Sequence, residues 1–118
     1  MRPNFVVATA VFLLSGIGVA EAAGSTQLAE AAGFLLGNAH RCGVPTERVE
    51  QAGKVIQDLI VAASYDSHER SVADSRFVEM FMASASLDPD RDALVPPCNV
   101  VIVQFKRLEQ HHLQSGMD

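Results

Sequence analysis

Residues 28–43 read LAEAAGFLLGNAHRCG, and this stretch decides the fold. Leu28, Ala31, Ala32, Leu35, Ala39 and Cys42 recur at i, i+3, i+4 and i+7 spacing, the pattern of a helix with one apolar stripe. Gly43 follows the last periodic residue, where a helix is most readily closed by a residue in the left-handed conformation. The spacing predicts a helix over about 26–41. Inside it Gly33 and Gly37 form a G-x-x-x-G step, with Ala29 one step further back. In lipid such a step lets two helices approach closely. In a water-exposed helix each glycine costs up to about 1 kcal/mol relative to alanine. Their presence therefore predicts a tight crossing inside the molecule, with self-association as the rival reading.

Upstream, the pentapeptide AEAAG occurs at 20–24 and again at 29–33. The first copy follows an almost continuous apolar run, Phe5–Ala20, headed by Arg2, and it places alanines at the −3 and −1 positions of a cut after Ala22. A positive start, an apolar middle and an A-x-A end describe a secretory signal peptide over 1–22. The run is shorter than the roughly 20 residues needed to cross a bilayer and is broken by Ser15, Gly16 and Gly18, so no stable membrane insertion is expected. The second copy has no apolar segment directly before it and reads as the first turns of the helix above. The mature chain, 23–118, is then one small helical domain in the periplasm or outside the cell.

Three more helices follow from the same periodicity. Pro45 suits the first turn of a second, whose stripe is Val49, Ala52, Ile56, Leu59, Ile60 and Ala63. Asp66 with Glu69 three residues on is a capping box, from which Val72, Ala73, Arg76, Phe77, Met80 and Phe81 carry a third helix to about Ala85. LDPDRDALVPP, 87–97, is a loop by its prolines and aspartates. Cys98, Val101, Ile102, Phe105 and Leu108 then mark a fourth helix. The β-branched run Val100–Val103 also suits a strand, but the good helix formers in KRLEQHHLQ extend the helical period. An up-down-up-down four-helix bundle results. In it the first helix ends where the fourth begins, which brings Cys42 to Cys98. In an exported chain an even cysteine count favours a disulfide. Closing a loop of about sixty residues contributes about 4 kcal/mol in the chain-entropy account.

The chain carries 9 basic and 14 acidic residues, a net charge of −5, with no Lys/Arg cluster, which argues against nucleic acid and anionic lipid as partners. G-x-S-x-G, H-E-x-x-H, G-x-G-x-x-G, the P-loop and C-x-x-C are all absent, so neither an enzyme nor a cofactor is expected. Asp88, Asp90 and Asp92 open like a calcium loop, but Ala93 and Asn99 stand where an EF-hand needs Gly and Glu. They read as a solvated acidic turn. His68, Glu69 and one of His111 and His112 fall at one end of the expected bundle and are the candidates for a borderline metal. Imidazoles in a last helical turn also complement the helix dipole.

The surplus is apolar. Phe77, Met80, Phe81 and Met82 crowd one turn and a half of the third helix, and Val100 and Val103 stand beside the core stripe of the fourth. Gathered near the disulfide, these six form the candidate partner-binding surface, to another protein or to a second copy. In size, helical content and single cross-link the mature chain resembles the small acid-stress chaperones of the bacterial periplasm. That likeness implies a contact function and a bundle loosened by acid; it assigns no residue a role.

Overall fold

The computed structural model describes residues 24–92 and 94–117, with side chains to residue 111. The expected signal peptide and its cleavage after Ala22 lie outside the described residues. Among those described, all regular structure is helical: α1 Ser25–Arg41, α2 Thr46–Ala63, α3 Ser67–Ala85 and α4 Cys98–Met117. Val100–Val103 is helix, as the downstream residues predict. No described helix is long and apolar enough to cross a membrane.

The helix ends follow their sequence signals. Gly43 takes φ +92°, its N–H bonds His40 O at 3.1 Å, and the Val44 N–H reaches back to Ala39 O at 3.0 Å. This is the Schellman closure that a glycine after the helix permits. Pro45 is the residue before the first helical position of α2. At α3 the Asp66 carboxylate accepts the Glu69 N–H at 2.8 Å, while Glu69 Oε1 accepts from the Tyr65 N–H at 2.8 Å. The capping box thus reaches back one residue further than its usual form.

The helices are arranged around α1. Its largest packing partner is α3, which is not its neighbour in sequence; α2 and α4 cover other faces of α1, and α3 and α4 hardly touch each other. α1 and α3 run parallel in a fixed register: Ser25 meets Glu69, 44 positions on, and the same separation relates Gly33 to Phe77 and Gly37 to Phe81. The close approach expected of G-x-x-x-G is made here. A Cβ on Gly33 would lie 2.6 Å from the Phe77 carbonyl oxygen, and one on Gly37 would overlap the Phe81 carbonyl oxygen. Side chains are excluded by backbone, which cannot rotate away.

α1 consequently buries two faces. Ala32, Leu35 and Ala39 belong to the predicted stripe; Ala29, Gly33, Leu36 and Gly37 form the second, while Ala31 is only half-buried. Around this axis the core gathers Val49, Ala52, Ile56 and Ile60 of α2, Ala73 and Phe77 of α3, and Val101 and Phe105 of α4. Burying Phe105 fully contributes about 2–3 kcal/mol. Cys42 and Cys98 are bonded, with Cα atoms 5.5 Å apart, so α4 sets off from the pole where α1 ends.

Gly37→Ala should destabilise the protein by about 3 kcal/mol through overpacking. Gly53→Ala, whose Cβ meets nothing closer than Leu36 Cδ2 at 3.9 Å, should stabilise it by up to about 1 kcal/mol. Urea denaturation of the two variants measures both.

Candidate functional site

The pole that carries the disulfide holds a polar network built on α1. Asn38 is fully buried in α1; its Nδ2 donates to the Phe34 carbonyl at 2.9 Å, which leaves Oδ1 facing Arg41. Arg41 donates to that oxygen through Nε at 3.0 Å and Nη2 at 2.8 Å, and Nη2 also donates to the Pro96 carbonyl at 3.0 Å. So held, the guanidinium brings Nη1 to 3.7 Å from Cys98 Sγ. The buried amide fixes the cation, and the cation spans from α1 to the loop and the bridge. Both cysteines are half-buried, Cys42 against the edge of the core.

The six apolar candidates divide. Phe77 is in the core, Phe81 is half-buried and packed against it, and the Met80 Cβ lies against Gly33. These three face α1, because the glycine contact sets the rotation of α3. Met82 stays 63 % exposed, and Val78, which sequence reasoning passed over, stays 54 % exposed one turn before it. Val100 and Val103 are 43 % and 49 % exposed. They lie on α4, which hardly touches α3, so the expected single surface is two. Leu94, in the loop between these helices, is 90 % exposed.

The metal candidates are not brought to one end. His68 lies in the first turn of α3, where Glu69 is already engaged by Ser25 Oγ at 3.2 Å and by the Tyr65 N–H. His111 follows Glu109 by two residues, and Glu109 is bound to Arg48 at the start of α2. The eighteen-residue α2 separates that point from the α2–α3 turn by about 25 Å. Among the described residues no three His, Cys, Asp or Glu side chains are grouped to hold a metal; the side chain of His112 is not among them. The fourth histidine, His40, is exposed, its ring 6.1 Å from that of Phe81. In the acidic loop Asp92 Oδ2 accepts the Asp88 N–H at 2.8 Å and Asp88 Oδ1 the Asp90 N–H at 2.9 Å. The carboxylates cap their own turn, as a solvated loop requires.

A groove of about 640 Å³ lies between α2 and α4, lined by Ala52, Val55, Leu108, Lys54, Asp58 and Lys106 among others. No pattern in the sequence announced it, since it depends on how α4 lies on α2. Arg48 also lines it and bonds the Glu109 carboxylate through Nε at 3.0 Å and through Nη2, with its guanidinium 5.5 Å above the Phe105 ring. A second interhelical pair joins Arg76 to Glu30, and Arg76 Nη1 also reaches Glu79 at 2.8 Å. Compared with known proteins, the chain matches no family model, no curated protein and no solved structure.

Hydrogen bonding to Glu109 raises the Arg48 pKa above the ordinary guanidinium range, with the charge of Glu109 adding to it and burial opposing. For a raised group the stabilisation is complete below the unfolded-state value and is lost only as pH rises through the folded one. The pair's contribution is therefore constant across neutral pH. Glu109→Gln should lower the melting midpoint slightly in low salt, and the difference should shrink in about 1 M salt, where the Debye length falls to about 3 Å. Thermal melts at the two ionic strengths check this.

Proposed function

We propose that the protein is exported and acts, without catalysis, by contact with another protein in the periplasm or outside the cell. The observation that carries this reading is the apolar side chains kept in water on two helices: Val78 and Met82 on α3, Val100 and Val103 on α4. A flexible methionine thioether beside an exposed valine suits adaptable contact, because it fits varied apolar surfaces at little cost. Export is supported by the apolar segment before residue 22 and by the Cys42–Cys98 disulfide, a bond that persists where the surroundings oxidise.

The partner is an unfolded client, another envelope protein or a second copy. The acid-responsive form of this reading is supported by the two carboxylate–guanidinium ties between helices, Glu30 with Arg76 and Glu109 with Arg48.

The test is aggregation of an unfolded model client in the presence of the oxidised protein, together with sedimentation of the protein alone. The wild type should delay aggregation or sediment as a dimer. The double variant Val78→Asp/Met82→Asp, or its counterpart Val100→Asp/Val103→Asp, should lose the effect with an unchanged melting midpoint. Monomeric behaviour with no protection of any client, at neutral or acid pH, would refute the reading.

A further inference from the structure

We propose that the Cys42–Cys98 bridge is a thiol-exchange site, in which an incoming thiol attacks Cys42 Sγ and Cys98 Sγ leaves. The two sulfurs differ in what lies beside them. Cys98 has the Arg41 guanidinium 3.7 Å from its sulfur, and that cation is held in place by the fully buried Asn38 amide and the Pro96 carbonyl. Cys98 is also the first residue of the twenty-residue α4, where unpaired N–H groups give partial positive charge. Cys42 caps the opposite end of a helix, the seventeen-residue α1, where carbonyls leave partial negative charge. A guanidinium and a helix start both favour a thiolate, and a helix end disfavours one. The bridge therefore has one good leaving group and one poor one.

Arg41 and Asn38 also explain each other on this reading. A fully buried amide is costly unless bonded, and here both ends of it are bonded, one of them to the cation that faces the sulfur. The sulfur-facing nitrogen is the remaining arm of a fork whose other arms are already occupied by Asn38 and Pro96. It is positioned for Cys98 without being free to follow a surface carboxylate.

The step balances as follows. A thiolate forms a bond to Cys42 Sγ while the Sγ–Sγ bond breaks, and the bonding pair departs on Cys98 as a thiolate beside Arg41. A second thiol then attacks the mixed disulfide and releases Cys42 as a thiolate. The co-reactant leaves as its own disulfide, having supplied two electrons, and protons are taken up by Cys42 and Cys98 according to pH. Exchange depends on the thiolate character of the leaving sulfur, so the first attack is directed to Cys42.

The experiment uses the oxidised chain, which keeps its fold until it is attacked. Brief exposure to glutathione near neutral pH, an acid quench and peptide mass mapping should find glutathione on Cys42, with Cys98 free, in about tenfold excess over the reverse adduct. The Arg41→Gln variant should move that ratio towards unity, and Arg41→Lys, which retains the charge, should restore part of it. After full reduction, iodoacetamide should modify Cys98 about tenfold faster than Cys42 near neutral pH. The bias should disappear in guanidinium chloride, where no helix fields remain. Equal adducts on the two cysteines of the oxidised wild type, or an excess on Cys98, would overturn the proposal.

Discussion

The structure depends on backbone meeting backbone where α1 and α3 cross. The carbonyls of Phe77 and Phe81 stand where side chains on Gly33 and Gly37 would otherwise be. That contact holds together two helices separated by all of α2, and it fixes the rotation of α3 about its axis. From the rotation follow which aromatic rings of α3 enter the core and which of its side chains remain in water. Close approach of this kind gains dispersion energy along two helical surfaces at once, and any added methylene there strains backbone atoms that have nowhere to move.

With α1 as the axis, the outer ties are polar or covalent, and they are spread along its length. Ser25 and Glu69 join α1 to α3 at one pole, Glu30 and Arg76 join them further along, and Asn38, Arg41 and the disulfide close the other pole onto α4. The exposed ion pairs contribute little each. Their value lies in register, because a one-residue slip of α3 would separate every pair and drive a side chain into the glycine contact. Packing specifies the axis, and charge specifies the alignment.

Much of this was legible in the sequence. The four helices follow from periodicity and from caps at Gly43, Pro45 and Asp66, and the Cys42–Cys98 pairing follows from the order of helix ends. G-x-x-x-G announces a close approach but names no partner, so the dominance of the α1–α3 pair was hidden. Asn38 reads as a surface residue by type, and only its bonds to the Phe34 carbonyl and Arg41 make its burial affordable. The division of Phe77, Met80 and Phe81 from Met82 was illegible because the third helix is apolar on more than one side. An up-down-up-down order with parallel and antiparallel neighbours sets His68 and His111 at one end. The long loop before α4 leaves its course to be set by Phe105 and Arg48, which carry it across α2 instead.

The bridge joins positions 56 apart and so turns α2, α3 and the acidic loop into a covalent ring from which α1 and α4 emerge as tails. A pull applied to the two tails passes from α1 to α4 through the sulfurs and bypasses everything inside the ring. Such a chain yields its outer helices under load while about 190 Å of contour length stays locked. Opening the ring hands that hidden length to the pulling force, so mechanical extensibility and thiol chemistry are coupled through a single bond.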